Sequence, residues 1–499
     1  MSKKVVVIGA GPGGLAASML LAAKGYEVDV YEKQPYIGGR NGALRLGGYT
    51  FDIGPTFLSM PQLVSELFEM AGRRTEDYLD MRELTEMYEL IFDDMRLRMT
   101  RDEEAMEQRI AEHFPGNETG YRKFMAENEK KLAMMTPILQ NPMDKWSDYL
   151  SRRVLKALPH LSLSKSLYDV LSDYFTDERL KLAFTFQAKY LGMSPWECPG
   201  AFSILSYMEH AYGIFHPIGG VNQLSHAMAR VTEEHGGRIH LGTGVKQLLL
   251  DGSEVKGVLL ENGGRVLADE VVINADFAHA MTKLVEPGVL KKHSPEKLKR
   301  KKYSCSTFML YLGLNKQYDL PHHTIVFAKD YKKNVEDITK TMLLSDDPSI
   351  YVQNACVTDP TLAPEGKSTL YILAPVPNNR SGIDWEVQKR EFRSLVLRTL
   401  AEKAGLTDLE EHIEVEHIIT PKTWEEDLYV YEGATFNLGH QLTQMMHLRP
   451  HNRFEELENC WLVGGGTHPG SGLPTILESA KITTRLIAEE TVKQAVMQP

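Results

Sequence analysis

Gly9, Gly11 and Gly14, followed at a distance by Glu32, are the first residues whose types and spacing point to chemistry. Gly9 allows a tight turn, Gly11 lets the main chain approach a pyrophosphate, and Gly14 lets a helix pack closely on a strand. Gly13 lies in the same loop. A helix starting there offers free N–H groups and the positive end of its dipole to phosphate. A carboxylate at Glu32 can bind a ribose hydroxyl pair and would repel a 2′-phosphate.

Those roles require a βαβ unit, and the flanking residues supply one. Val5-Val6-Val7-Ile8 is short and β-branched, as a buried parallel strand should be. Leu15 to Lys24 is rich in Ala and Leu, and Gly25 stops it as a helix. Val28, Val30 and Tyr31 begin a second strand that ends at Glu32. A glycine-rich turn in some other α/β protein is the competing reading. The order of strand, helix, strand and acid argues against it.

A second glycine loop follows. Lys33 to Arg40 reads Lys-Gln-Pro-Tyr-Ile-Gly-Gly-Arg, which suits a second pass over the pyrophosphate that an NAD enzyme does not need. The arrangement resembles the FAD-binding amine-oxidase and carotenoid-desaturase superfamily. The resemblance implies FAD, with Lys33, Gly39 and Arg40 among its contacts. It also implies a place beside the flavin ring for Gly54, Pro55 and Thr56, which otherwise read as a turn with proline at its rigid position. Val245, at the head of a strand over the adenine in that superfamily, is a backbone contact by the same resemblance. At the C-terminus, Cys460 to Pro474 repeats strand and glycine loop and leads into a helix expected over Thr475 to Ile487. Gly465, Gly466, Pro474 and Thr475 thereby bring a second helix N-terminus to the cofactor.

At 499 residues the chain can hold two or three domains with full cores. A net charge of −11 argues against nucleic acid as a partner. Cys198, Cys305, Cys356 and Cys460 are far apart, so neither a metal site nor a disulfide framework is expected, and a reducing compartment fits. The apolar start at Val5 to Ile8 is broken at once by glycine, which favours a strand over a signal peptide. No run approaches the length of a transmembrane helix.

The expected fold is α/β. A Rossmann-like FAD domain of the glutathione-reductase, amine-oxidase-like type is assembled from discontinuous segments, 1–75, 215–290 and 456–499. A mixed-sheet substrate domain takes 76–130 and 291–455. A helical, membrane-facing insertion takes 131–214. Within and beside that insertion, Met134, Met135, Leu139, Met143, Trp146, Leu150, Leu155, Leu158, Leu161, Phe184, Phe186, Tyr190, Met193 and Trp196 could line an apolar tunnel or form plain core. Between Lys145 and Lys165, basic residues mix with Trp146, Leu150, Leu155 and Leu158 and face a single acid, Asp148, as an interfacial helix requires. A further basic stretch, Leu290 to Lys302, reads as a solvated face or a lipid-attracted one.

Along nearly its whole length the chain resembles bacterial carotenoid desaturases of the phytoene and diapophytoene type. The resemblance rests on the segments above and on Phe51 to Thr56, Pro217-Ile218-Gly219-Gly220, His322-His323-Thr324, Arg449-Pro450-His451-Asn452, Gly466-Thr467-His468-Pro469-Gly470 and Glu478-Ser479-Ala480-Lys481. It implies FAD-dependent removal of hydrogen from an acyclic C30 or C40 polyene. It also implies a cytoplasmic protein docked peripherally on the cell membrane, with oxygen or a quinone as electron acceptor. The hydrogens are allylic and not acidic, so hydride transfer to flavin N5 comes first and a proton leaves second. Glu209 and His468 are candidate acids or bases, each also readable as a buried structural acid or a capping imidazole. Phe215 and Phe436 are candidate cation-stabilising aromatics. The competing functions are a carotenoid terminal-methyl oxidase, a polyene isomerase or saturase, a flavin amine or protoporphyrinogen oxidase, and a flavin-bearing membrane scaffold. Oligomeric state leaves no mark in the sequence.

Overall fold

The structure is a computed structural model, and it describes residues 3–497 except for the side chains of Tyr190 and of 495–497. Its centre is a five-stranded parallel sheet in the order Arg238–His240, Glu27–Tyr31, Lys4–Ile8, Glu270–Ile273, Cys460–Leu462. Chain segments more than 400 residues apart therefore share one sheet. Lys4–Ile8 is central and its Val5, Val6 and Val7 are fully buried, as a strand covered on both faces requires.

The helix Pro12–Ala23 follows the first strand, with Pro12 at its entry where no N–H is needed. It packs against the helices Asn222–Glu234 and Leu473–Met497. Ala16, Ala17 and Ala22 keep its surface small enough for neighbours on two sides. The C-terminal helix begins two residues before the expected start and runs ten residues further, with Ile482 and Ile487 buried. A three-stranded antiparallel sheet, Val245–Asp251, Glu254–Leu260 and Arg265–Leu267, stands beside the parallel one.

The second large unit is a seven-stranded mixed sheet in the order Ile413–Ile419, Ser306–Leu314, Ser368–Val376, Ile350–Gln353, His323–Val326, Glu86–Ile91, Arg96–Thr100. Side chains alternate across a strand, so each strand feeds two faces. Phe308, Leu310, Leu312, Ile372 and Ala374 face the helix Trp385–Ala404 in one core. Thr307, Ile325, Tyr351, Tyr371, Leu373 and Pro375 face the other way, into the cavity described below. Residues 103–212 are mainly short helices and turns around a third core that includes Phe124, Phe175, Phe184 and Leu180. No helix among the described residues is long and apolar enough to cross a membrane.

Candidate active site

One cavity of about 840 Å³ lies between the parallel sheet and the seven-stranded sheet, near the upper end of small-molecule sites. Its first half is built from main chain. Gly9, Gly11 and Gly13 line it at the start of the helix Pro12–Ala23. Gly39 and Arg40 line it from the second glycine loop, tied to the first by the Gly38 N–H donating to the Ala10 carbonyl at 2.9 Å. Gly465 and Gly466, with Pro474 and Thr475, close it at the N-terminus of the C-terminal helix. Two helix N-termini thus open on one space, which is what a pyrophosphate needs.

Every glycine, acid and base expected to hold the cofactor lines this cavity except Gly14. Gly14 sits behind it, where an added Cβ would stand 2.2 Å from the Gly9 carbonyl oxygen. Its part is the close packing of helix on strand. Glu32 lines the cavity while its Oε2 accepts from the Ala10 N–H at 2.7 Å and its Oε1 from the Gln34 N–H at 2.8 Å. Burial pushes its pKa up, and the amides of Gln34, Ala10 and Lys33 oppose that. Lys33 pairs with Glu261 at 3.0 Å and lies over the Tyr429 ring. Arg40 donates to the Thr435 carbonyl at 2.6 Å and to Asn437 Oδ1 at 3.1 Å, so its fork is anchored at the cavity wall. Val245 lines the cavity from the start of its strand.

These residues fit a flavin dinucleotide. The glycines present bare main chain to the cavity, and Asn41 offers a buried Oδ1 that has no partner among the described residues. Asn41 Nδ2 is already donated to Val221 O and Ser225 Oγ, so the free oxygen is held in place.

The second half of the cavity is built from side chains. Phe186, Leu191, Leu205, Met208, Ile325, Leu373 and Phe436 line it. Gly54, Pro55 and Thr56 sit where the halves meet, and three tyrosines of the large sheet hold that loop. Tyr311 donates to the Ile53 carbonyl at 2.6 Å, Tyr371 to the Gly54 carbonyl at 2.8 Å, and Tyr351 OH lies 2.6 Å from Thr56 Oγ1. Gly54 has no room for more, since a Cβ there would stand 2.5 Å from the Arg40 carbonyl oxygen. The sequence reading missed these tyrosines. Their alternation on buried strands is the one signal that could have found them.

Lys189 is the ammonium in this half. It donates to Ser349 Oγ at 2.8 Å and lies over the Tyr331 ring at 4.7 Å. Burial pulls its pKa down to about 7.

Several expected residues stand elsewhere. Glu209 is buried away from the cavity lining, where its Oε2 accepts from Tyr88 OH at 3.0 Å and from Gln187 Nε2 at 2.9 Å. His468 is also outside the lining, with its Nε2 3.0 Å from the Asn141 carbonyl and 3.3 Å from that of Ile138. Burial lowers its pKa to about 4, so it is a neutral tether between the glycine loop and the helix Glu118–Leu139. Phe436 lines the cavity and Phe215 does not. Of the expected tunnel residues Phe186 lines it, while Met134, Met135, Leu139, Met143, Leu161, Phe184, Met193 and Trp196 belong to or pack on the core of the helical unit, and Trp146, Leu150, Leu155 and Leu158 are exposed at the surface instead. The side chain of Tyr190 lies outside the described residues.

The segment Arg449 to Asn452 braces the C-terminal glycine loop. Fully buried Arg449 donates from Nε to the Thr467 carbonyl at 3.0 Å and from Nη2 to the Gly465 carbonyl at 2.6 Å. Thr467 Oγ1 donates to the Pro450 carbonyl at 2.6 Å, and Asn452 Nδ2 to the His468 carbonyl at 3.0 Å. Burial pushes the Arg449 pKa down to about 9.

Residues 12–488 match the family of flavin containing amine oxidoreductases. The chain is 52% identical to a 4,4'-diapophytoene desaturase (4,4'-diapolycopene-forming) of Methylomonas sp, over 98% of its own length and 96% of the relative's. It is 33% identical to a phytoene desaturase (lycopene-forming) of Pantoea ananas, over 98% of its length and all of the relative's. Among solved structures it resembles the cyclohexylamine oxidase of Brevibacterium oxydans with a TM-score of 0.62 and 17% identity, over 99% of this chain and all of that one, a likeness of fold. With the glycine cradle, these matches place the chain in the flavin containing amine oxidoreductase family, as an FAD-dependent oxidoreductase of the carotenoid desaturase group.

Proposed function

We propose that the protein desaturates an acyclic carotenoid precursor, 4,4'-diapophytoene before its C40 counterpart. The carrying observation is the second half of the cavity, where an apolar wall adjoins the flavin-side loop. A polyene offers no hydrogen-bonding group and needs such a wall. FAD bound in the glycine cradle supplies the acceptor for the hydride removed from an allylic carbon. The chain's residues orient the hydrocarbon and exclude water from the developing cation. The C30 preference rests on the relative that is 52% identical. An amine substrate is a cation, and the apolar lining named for this half offers it no carboxylate.

In this reading 1–75, 215–290 and 456–499 hold the cofactor, 76–130 and 291–455 carry the substrate sheet, and 131–214 faces lipid. Exposure supports the last part. Trp146 is 64% exposed, Leu150 75% and Leu155 51%, and Leu158 and Leu163 are exposed beside them. Lys145, Arg152, Lys156 and Lys165 are exposed on the same segment. Large apolar groups with surrounding bases favour an anionic membrane surface. Oxygen or a membrane quinone reoxidises the cofactor, since the sequence holds no second dinucleotide fingerprint.

Expression in cells that make colourless C30 or C40 precursors tests the reading. Coloured, more conjugated pigment is expected from the C30 cells. Extracts that stay colourless from both would overturn desaturation, and terminally oxygenated products from already coloured polyenes would favour the methyl-oxidase alternative.

A further inference from the structure

A polyene that gives up one hydrogen with its electron pair must still lose a proton, and the side-chain half of the lining contains few groups that can take one. Tyr371 is committed to the Gly54 carbonyl at 2.8 Å. Lys189 donates to Ser349, two residues before Tyr351 on the chain. Tyr351 differs from both. Its hydroxyl lies 2.6 Å from Thr56 Oγ1 on the cavity side and 2.7 Å from His323 Nδ1 on the other. Tyr351 pairs with Ile325, so His323, two residues earlier, is its diagonal cross-strand neighbour.

Behind His323 lies a buried imidazole cluster. The rings of His323 and His322 have centroids 4.4 Å apart, and those of His322 and His216 4.8 Å. His216 Nε2 is 3.2 Å from the Asp359 carboxylate. Burial raises the Asp359 pKa, but hydrogen bonds from His216, Thr361 and the Gly219 amide outweigh it and keep that carboxyl below its ordinary range. His322 Nδ1 reaches Thr358 Oγ1 at 2.8 Å, and Thr358 is half-buried at the surface. A hydrogen-bonded hydroxyl pair at the cavity thus backs onto histidines with a carboxylate at one end and a route outward at another.

We propose that Tyr351 and His323 take the proton in the second half of the reaction. This rests on the desaturase reading above. Once one hydrogen has left with both C–H electrons to the flavin, the neighbouring C–H bond breaks and its electron pair forms the new C=C. The proton goes to the Tyr351 oxygen as the phenolic proton passes to His323 Nδ1, so tyrosine stays neutral and His323 becomes imidazolium. Burial, with His216 beside it, holds the His323 pKa down at about 3, so the ring is unprotonated beforehand. An allylic cation is a far stronger acid than that imidazolium, so a weak base in the right place suffices. Asp359, Asp52 and Glu209 are the carboxylates near this cluster and Tyr351.

The test compares wild type, Tyr351→Phe and His323→Gln with diapophytoene deuterated either at the carbon that loses hydride or at the one that loses a proton. Wild type should show an isotope effect at the first position alone. Tyr351→Phe, which keeps the ring and the fold, should lower kcat about 100-fold and show a new isotope effect at the second position. His323→Gln should move both readouts the same way. FAD affinity, read by flavin fluorescence without substrate, should fall no more than the few-fold expected of any tyrosine that holds the Gly54-Pro55-Thr56 loop, far less than the fall in kcat. A Tyr351→Phe enzyme with near wild-type kcat and no second isotope effect overturns the relay, as does that signature appearing in Lys189→Met instead. A wild type that oxidises no polyene removes the functional reading and the relay with it, and is distinct from both.

Discussion

The two halves of the cavity are made of different material. Around Gly9 to Gly13, Gly39 and Gly465-Gly466 the wall is peptide, and its chemistry is the direction of N–H groups at two helix starts. Across from it the wall is side chain, presented by alternate positions of the seven-stranded sheet, by the 3-10 turn Phe186–Leu191 and by the helix Ile204–Tyr212. A peptide wall fails when anything is added to it. A side-chain wall fails when a specific group is removed. The loop Gly54-Pro55-Thr56 joins the two, held by tyrosine hydroxyls on one side and pressed against Arg40 on the other.

The largest break in the peptide half is Gly14→Val. Its Cβ would meet the Gly9 carbonyl at 2.2 Å, and backbone cannot yield as a side chain can. FAD affinity, measured by flavin fluorescence, is expected to fall by about 100-fold or more. On the outer surface, Trp146→Ser with Leu150→Ser removes the two most exposed apolar groups of the basic segment. Co-sedimentation with anionic phospholipid vesicles should weaken roughly ten-fold or more. Unchanged sedimentation would move the membrane contact elsewhere.

Smaller effects sharpen the seam between the halves. Tyr371→Phe leaves the Gly54 carbonyl without its donor, a loss of about 1–3 kcal/mol for a buried acceptor. Thermal unfolding should fall by several degrees, and FAD affinity by a few-fold, because the loop belongs to both walls. The smallest change is Lys189→Met. The folded-state pKa of Lys189 lies below its unfolded value, so the folded chain binds fewer protons and this site's destabilisation is greatest at low pH. It fades as pH rises from about 7 towards 10.5. Lys189→Met should therefore raise the unfolding temperature by about 2–4 °C at pH 6, with the gap closing by pH 10.

The peptide half was legible because its constraints are local. Gly9, Gly11, Gly13, Glu32, Gly39 and Gly54 each answer to a neighbour or a fixed spacing, and each lines the cavity. Gly14 was legible in its packing role for the same reason. The side-chain half was not. Tyr311, Tyr351 and Tyr371 look like ordinary core on alternating strands, and what makes them clamps is a loop some 250 to 320 residues earlier. The helical unit misled for a different reason. Lys189 and Leu191 reach the cavity from the 3-10 turn Phe186–Leu191, too short for a helical period to mark its inward face, and Leu205 and Met208 from one face of the nine-residue helix Ile204–Tyr212. Phe184 and Met193, nearby in sequence, turn into the core instead. The exposed apolar face at 146–158 was only half readable, because bases interleaved with Trp and Leu point to a surface while the same apolar groups fit a tunnel wall, and only tertiary structure separates the two.

Anaerobic mixing of the FAD-loaded protein with 4,4'-diapophytoene, followed by flavin absorbance, tests the central claim most directly. The predicted result is bleaching of the oxidised flavin band together with the appearance of a more conjugated polyene. Bleaching by an amine but by neither diapophytoene nor phytoene, or a protein that does not retain FAD, would contradict it.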